Sequence, residues 1–212
     1  MEIHQCRVYE LEESIVASGF PKLTTYNDQA FGNAVDEVRK DIAEARAGKH
    51  ILRAARLAKA PDGSGHKTFL SGILVAMNIT ATMKWWVQFG RYHFQQIDSS
   101  MSTMHKLKQM VEEGTIRFHP ATDPQIISEF TTLCMLSDDI EEIAYSVPAG
   151  LELTARVNTN YLQLTTMVRQ RSTHRLGEWK QFCDHVRALP MADIFIFTGE
   201  ANGGGTIKPG LV

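Results

Sequence analysis

The spacing of apolar residues along the chain predicts an alternation of strands and helices. Residues 2–9 alternate weakly between apolar and polar side chains, which is typical of a strand. In residues 30–47, apolar side chains recur at helical spacing, and the pattern stops at Gly48. This predicts an amphipathic helix, because such spacing places the apolar side chains on one face.

The middle of the chain combines a loop with a long apolar stretch. Residues 60–67 (APDGSGHK) are rich in glycine and polar residues and predict a flexible loop. Residues 72–79 predict a buried strand, and residues 81–92 predict a helix that follows it. Residues 93–101 are expected to form a loop or a short strand.

The C-terminal half predicts helices on both sides of a strand. One long helix is expected over residues 123–145, starting at an Asp-Pro pair. A strand over residues 151–157 precedes two helices, over residues 159–171 and 175–188. The glycine-rich end of the chain, residues 199–212, is expected to be mobile.

The composition fits one domain and argues against several kinds of partner. With 212 residues, 43% of them hydrophobic, residues 1–212 are expected to form a single domain of the α/β class. The net charge of −2 gives no positive field for a nucleic-acid polymer, so a free nucleotide is the better candidate ligand. Polar side chains interrupt the apolar stretch over residues 69–90, which therefore does not predict a membrane span.

Cysteine usage and the N-terminus indicate the compartment. The three cysteines are scattered, and no CxxC pair occurs. This favours a reducing cytoplasm, where disulfides are rare. The acidic start MEIHQCRVYELEES is unlike a signal peptide. No spacing of histidines and cysteines predicts a metal site.

A basic and aromatic segment after the predicted central helix is the first candidate for ligand binding. It consists of Arg91, Tyr92, His93 and Phe94. A hydroxyl-rich run follows, containing Ser99, Ser100 and Ser102. Arginine offers a fixed fork of donors to phosphate oxygens and serine a compact donor, so these segments suit a phosphorylated ligand. The alternative is structural, because cations are favoured at helix C-termini and serines in turns.

The spacing of this segment from an upstream histidine carries a family resemblance. His66-x-Thr68 precedes Arg91, and Gln88 lies three residues before Arg91. The layout resembles the flavin-dependent thymidylate synthases, the ThyX family, whose signature R-H-R-x-x-S-x-N-E-x-S-x-R follows an H-x-T motif. The resemblance identifies the chain as a divergent, phage-type member and implies the family's fold, a mixed β-sheet flanked by helices.

A second segment agrees with the same family. Asn158 and Arg169 keep the spacing of the family's N-x-R-x-L-x-x-F-x-x-L-R segment. Glu178 lies one residue later than that segment's glutamate. The resemblance therefore covers roughly residues 66–185 and, more weakly, the N-terminal strand.

The chain also departs from the family pattern. Arg91-Tyr92-His93 stands where the family has R-H-R, and the motif's glutamate and last arginine have no clear counterpart. A further family arginine would fall near Ala144. Two arginines that hold the substrate phosphate in the family are therefore missing.

The resemblance assigns roles to individual residues. FAD is expected to contact His66, Thr68, Arg91, Tyr92, His93, Phe94 and Asn158. The nucleotide is expected to contact Gln88, Ser99, Ser100, Ser102 and Arg169. Ser102 is preferred over Met101 as the counterpart of the family serine, because a thioether cannot replace a hydroxyl's hydrogen bonding.

Arg169 is also the expected catalytic residue, since a guanidinium beside the pyrimidine would stabilise developing negative charge. It shares a helix face with Leu162 and Thr166, and this face is expected to point inward. Arg171 is expected to lie at an exposed helix end, turned away from that face.

The function implied by the resemblance is thymidylate synthesis. A one-carbon unit would pass from methylenetetrahydrofolate to dUMP, giving dTMP, with hydride supplied by NADPH through FAD. The family also implies a homotetramer with sites between subunits, in the cytoplasm, including that of a phage-infected host. The missing arginines leave two alternatives open: a dUMP hydroxymethylase of altered specificity, and a non-catalytic nucleotide- or flavin-binding relative.

Overall fold

The computed structural model describes residues 1–198, so the predicted mobile tail, residues 199–212, lies outside the described residues. The strands are β1 (Glu2–Tyr9), β2 (Leu74–Thr82), β3 (Gln95–Ser100) and β4 (Glu152–Asn160). The helices are α1 (Leu11–Ala17), α2 (Asp28–Ala43), α3 (Lys49–Ala58), α4 (Met83–Phe89), α5 (Leu107–Glu112), α6 (Pro124–Leu136), α7 (Ile140–Tyr145), α8 (Tyr161–Arg171), α9 (Gly177–Arg187) and α10 (Ala192–Phe195). Short 3₁₀ turns cover Phe20–Lys22 and Thr68–Ser71.

The strands form one antiparallel sheet with the order β1-β2-β4-β3. The inner strands β2 and β4 are mostly buried, as expected for strands paired on both sides. The outer strand β3 is exposed along almost its whole length. Helices flank the sheet, which confirms the predicted α/β class. The strands pair antiparallel, where the sequence led us to expect a mixture of directions.

The predicted long helix over residues 123–145 is wrong in one respect, because the chain leaves helical geometry after Leu136. Ser137 is extended, with φ −95° and ψ 140°. Asp139 then starts α7: its Oδ1 accepts hydrogen bonds from the backbone N–H groups of Glu141 at 2.9 Å and Glu142 at 3.2 Å. An aspartate in this position satisfies N–H groups that a new helix leaves unpaired, and it therefore separates two helices that share one apolar pattern.

The described part of the chain divides into two compact units. Unit 1 consists of Met1–Gln5 and Met77–Val157, and unit 2 consists of Cys6–Ala76 and residues 158–198. The core of unit 1 joins α5, α6 and α7 to the start of β4. Its buried members are Leu107, Phe130, Cys134, Ile143, Leu151 and Leu153.

Helix α4 of unit 1 is anchored at its start and along its buried face. The Thr82 hydroxyl oxygen accepts a hydrogen bond from the Trp85 N–H at 3.1 Å. Trp85 and Phe89 are fully buried and stack with their ring centroids 4.7 Å apart. The Trp86 indole N–H donates to the Leu153 carbonyl at 3.2 Å. These contacts fix the helix that leads into Arg91.

The core of unit 2 is built from the faces of α1, α2, α3, α8 and α9. Its fully buried members include Ile15, Val38, Ile51, Leu164, Met167, Trp179, Phe182 and Val186. Helix α8 starts at Asn160, whose side-chain oxygen accepts a hydrogen bond from the Gln163 N–H at 2.9 Å. The Tyr161 hydroxyl donates to the Pro190 carbonyl at 2.6 Å. The start of α8 is therefore held in place, and its C-terminal turn carries Arg169.

Candidate functional site

The loop before β2 in unit 2 is shaped by glycines. Gly63 and Gly65 have φ values of +80° and +74°, in the left-handed region that glycine adopts without a steric penalty. The Thr68 hydroxyl donates to the Gly65 carbonyl at 2.6 Å, which starts the 3₁₀ turn. His66 and Thr68 are exposed and Lys67 is half-buried. The predicted loop is confirmed, and it presents His66 and Thr68 to solvent.

Arg169 lies late in α8, on a face that is less buried than predicted. The buried face of this helix is formed by Tyr161, Leu164, Met167 and Val168. Leu162 and Thr166 are half-buried, and the Arg169 side chain is 59% exposed. The expectation that this face points inward is therefore wrong, because the apolar stripe of α8 runs along the neighbouring face.

Arg171 also differs from the prediction. Its guanidinium lies over the ring of Trp179, 4.8 Å from the centroid, and the residue is half-buried. A cation placed over an indole in this way makes a cation–π contact. Arg171 is therefore part of the packing between α8 and α9 and not a solvated helix end.

Arg169 pairs with Asp62, and this carboxylate also holds Lys67. The Arg169 guanidinium donates to Asp62 Oδ2, and the Lys67 ammonium donates to Asp62 Oδ1 at 2.9 Å. Hydrogen bonds from Lys67 and then from Arg169 lower the pKa of the Asp62 carboxyl below its usual value. We call this group of three residues the Asp62 bridge.

The Asp62 bridge forms one wall of a cavity of about 440 Å³, which we call the α8 cavity. The polar wall also includes the hydroxyl residues Thr165 and Ser172. The lining also includes the apolar residues Pro61, Val168, Ile196 and Phe197. A cavity of this volume, lined by both polar and apolar groups, suits a small organic ligand. The cations favour a ligand that carries or develops negative charge.

Asn158, the third predicted cofactor contact in unit 2, lies near the end of β4. Its residue is exposed, between the buried Val157 and Thr159. This alternation follows from the period of two along a strand. Asn158 is therefore a surface residue of unit 2.

The basic and aromatic segment of unit 1 follows directly after α4. Arg91 and His93 are exposed, and Phe94 is 70% exposed. Tyr92 is buried. A phenylalanine this exposed is unusual, since large apolar rings are normally buried on folding. The segment thus offers a cation and an aromatic face to solvent.

The hydroxyl run of unit 1 has two different structures. Ser99 and Ser100 are exposed residues of the outer strand β3 and do not form a turn. Ser102 does form one, because its hydroxyl oxygen accepts a hydrogen bond from the His105 N–H at 3.2 Å. The Met101 N–H donates to the Thr154 carbonyl at 3.0 Å. Met101 is therefore tied to β4, whereas Ser102 lies beyond that pairing.

Gln88, the last of the predicted nucleotide contacts, lies in the final turn of α4 and is half-buried. Unit 1 thus carries the predicted residues from Gln88 to Ser102, and unit 2 carries His66, Thr68, Asn158 and Arg169. Sequence reasoning missed Asp62 and Lys67. Their sequence signal was their position: both are charged residues of the glycine-containing loop, and Lys67 directly follows His66.

Comparison with known proteins gives a match by structure alone. No protein-family model and no curated protein sequence matches the chain. Two crystal structures of the flavin-dependent thymidylate synthase ThyX from Helicobacter pylori, both with FAD and dUMP, do match. The first has a TM-score of 0.67 and 13% identity, and the match covers 94% of this chain and 100% of that one. This chain has the ThyX fold.

The second ThyX structure from the same bacterium agrees, with a TM-score of 0.64, 14% identity, and coverage of 93% of this chain and 99% of that one. The fold implied by the motif spacing is therefore confirmed. The match spans nearly the whole of both chains, so the ThyX fold accounts for the β-strands and helices of unit 1 and unit 2 alike.

Two other kinds of site are absent from the described residues. Among residues 1–198, no helix combines the length and the apolar character needed to cross a membrane. Within the same range, no three histidine, cysteine, aspartate or glutamate side chains are grouped so that they could hold a metal ion.

Proposed function

We propose that this protein is a divergent member of the ThyX family and a flavin-dependent thymidylate synthase. In the proposed reaction, methylenetetrahydrofolate gives a one-carbon unit to dUMP, and NADPH supplies the hydride that completes the methyl group of dTMP. The observation that carries the proposal is the ThyX fold over 94% of the chain, together with Arg169 at the wall of the α8 cavity.

The residues proposed to hold FAD are His66, Thr68, Arg91, Tyr92, His93, Phe94 and Asn158. Their chemistry fits the cofactor, which supplies hydride transfer when bound. The exposed Arg91 offers donors for a pyrophosphate, and the Phe94 ring, 70% exposed, offers a face for stacking on a planar ring system. The buried Tyr92 would keep this segment in position.

The residues proposed to bind the nucleotide are Gln88, Ser99, Ser100, Ser102 and Arg169. Exposed hydroxyls on Ser99 and Ser100 can donate to polar atoms of a ligand. Arg169 is the proposed catalytic residue. Its guanidinium would hydrogen-bond a carbonyl of the pyrimidine ring and stabilise the negative charge that develops there.

A second candidate is an enzyme of altered specificity, such as a dUMP hydroxymethylase, or a relative that binds the nucleotide or flavin without turnover. One observation favours these alternatives. The family's phosphate-binding arginines are missing, and the position near one of them is Ala144, a half-buried residue of α7. In all these proposals the protein binds a flavin or a pyrimidine nucleotide, and they differ in the product formed.

The decisive experiment combines the absorption spectrum of the purified protein with oxidation of its reduced flavin by dUMP. We expect bound FAD, and we expect dUMP with methylenetetrahydrofolate to accelerate reoxidation and yield dTMP. Arg91→Ala should weaken FAD binding about tenfold to hundredfold, because it removes a charge-assisted hydrogen bond worth about 1.5–3 kcal/mol. Arg39→Ala is the matched control, since Arg39 is exposed on α2 and pairs with Asp36.

Each outcome of that experiment has a distinct meaning. A protein that neither contains nor takes up FAD refutes the flavoenzyme proposal. A hydroxymethylated product in place of dTMP establishes the altered specificity. Binding of FAD and dUMP without any reoxidation establishes the non-catalytic relative.

A further inference from the structure

The Asp62 bridge brings two cations to one position. Lys67 donates to one oxygen of the carboxylate at 2.9 Å, and Arg169 donates to the other oxygen. An ammonium and a guanidinium that share one small anion must face the same point in space. That point lies at the wall of the α8 cavity.

The three residues differ in how firmly they are held. The Lys67 side chain is only 14% exposed, whereas Asp62 is 53% exposed. Lys67 leads directly into the 3₁₀ turn, while Asp62 precedes Gly63 and Gly65 in the loop. A Cβ atom added to either glycine would meet no atom within 4 Å. The loop that carries Asp62 therefore has free space around it, and the exposed ion pair of Asp62 with Arg169 contributes little stability.

Removal of the carboxylate would leave a site with a clear chemical preference. The ammonium of Lys67 and the guanidinium of Arg169 would then face the cavity with two positive charges. The same cavity is also lined by the apolar residues Val168, Ile196 and Phe197. Apolar neighbours weaken the competition from water and strengthen the attraction of the cations for a negatively polarised group. A flat ring with electron-rich oxygens on its edge matches both kinds of lining residue.

We propose that Asp62 occupies, in the free protein, the position taken by the negatively polarised oxygens of the substrate pyrimidine, and that Lys67 binds them as a second cation beside Arg169. This inference rests on the proposed function and adds two residues to it. Asp62 is an internal counter-ion that leaves when the substrate enters. Lys67 is a substrate contact whose positive charge stabilises the pyrimidine most strongly when the ring gains negative charge during the reaction.

Asp62→Asn tests the exchange of the carboxylate. The amide has the same shape but loses the competing charge, so the affinities for dUMP and for 2′-deoxyuridine should both rise by about the same factor, roughly twofold to tenfold, because exposed ion pairs are weak. Asp36→Asn is the control, since Asp36 is an exposed partner of Arg39 on α2. It should change neither affinity.

The comparison of the two ligands decides which group displaces Asp62. Tighter binding of dUMP alone would assign the position to the phosphate and overturn the pyrimidine assignment. Unchanged or weaker binding of both ligands would overturn the exchange itself. If the unaltered protein binds neither ligand, the proposed function fails and this inference fails with it. Binding to the unaltered protein without any gain in Asp62→Asn refutes the inference alone.

Lys67→Met tests the second cation. It keeps most of the side-chain volume and removes the charge, so the rate of dUMP-dependent flavin oxidation should fall about tenfold to hundredfold, while the melting temperature and FAD content stay unchanged. Lys67→Arg should recover most of the rate. Lys59→Met, at the exposed C-terminal end of α3, is the matched control. A full rate in Lys67→Met, or a slow rate accompanied by a lower melting temperature in both Lys67 variants, would overturn the role of Lys67.

Discussion

Two arginines of α8 that lie two positions apart should separate chemistry from stability. Arg169 faces the α8 cavity and pairs with Asp62, with more than half of each side chain exposed. Arg171 packs its guanidinium over the buried ring of Trp179. Replacement of each by lysine keeps the charge and removes the planar guanidinium, so the pair of variants isolates the role of that group.

The structure predicts different losses of stability and of activity for the two substitutions. Arg169→Lys should leave stability almost unchanged, because exposed ion pairs contribute about 0–1 kcal/mol. Its rate of dUMP-dependent flavin oxidation should fall about a hundredfold to a thousandfold, the usual loss for one electrostatic contact at a reacting group. Arg171→Lys should lose a cation–π contact worth about 0.5–1 kcal/mol. In a protein of this size that lowers the melting temperature by roughly 1–4 °C.

The assays are thermal unfolding followed by circular dichroism, and reoxidation of the reduced flavin with and without dUMP. We expect a normal melting temperature and a slow rate for Arg169→Lys, and the reverse for Arg171→Lys. If Arg171→Lys loses as much activity as Arg169→Lys, the assignment of the α8 cavity as the reacting site is refuted. Full activity in Arg169→Lys removes that residue from the chemistry.

Three further expectations follow from other parts of the chain. Phe182→Ala should lower the free energy of unfolding by about 3–5 kcal/mol, because the ring is fully buried against Trp179 at a centroid distance of 5.6 Å; a loss below 1 kcal/mol in denaturant titration would contradict this packing. The pKa of Asp62 should lie below its usual 3.8. A carboxyl with a depressed pKa in the folded state stabilises the fold at pH values above its unfolded pKa. This stabilisation is lost as the pH falls through the folded pKa. The stability that the Asp62 ion pairs contribute should therefore disappear only in acid below pH 3.8. Carbon-13 NMR titration should show the pKa rising in Lys67→Met, and an unchanged value would deny the bridge. Light scattering should give a mass near four times 23.8 kDa for the proposed homotetramer, and a monomer that binds FAD tightly would rule out sites shared between subunits.

Local pattern located β1, β2 and β4, left β3 open between a loop and a short strand, and missed one helix and one break between helices. Residues 2–9 coincide with β1, because alternation alone defines a strand with one covered face. Helix α3 was not predicted, although its buried residues Ile51, Ala54 and Ala58 follow helical spacing. The break between α6 and α7 was missed because the polar run Ser137-Asp138-Asp139 is short enough to fit the polar face of one continuous helix. The capping contacts of Asp139 mark the new start.

The candidate site shows the same division between local and long-range information. Spacing indicated Arg169 as a candidate, because the motif from Asn158 to Arg169 is a short, continuous stretch of sequence. Its partner Asp62 is 107 positions away along the chain, and no local pattern brings the two together. The orientation of Arg169 also depended on which face of α8 the rest of unit 2 covers. Pairing and burial of this kind are set by tertiary packing, which single-sequence periodicity does not contain.

The order of strands in the sheet has a consequence for how the protein is made. β4 lies between β2 and β3, although both of those strands come earlier in the chain. During synthesis, at roughly 5–20 residues per second, β3 emerges several seconds before the strand with which it pairs. The sheet therefore closes late and through contacts between distant parts of the chain, which carries a large loop-closure entropy and slows folding. A nascent chain that stops before residue 152 would expose the edge of β2 that β4 later covers, so expression yield should depend on chaperones during this interval.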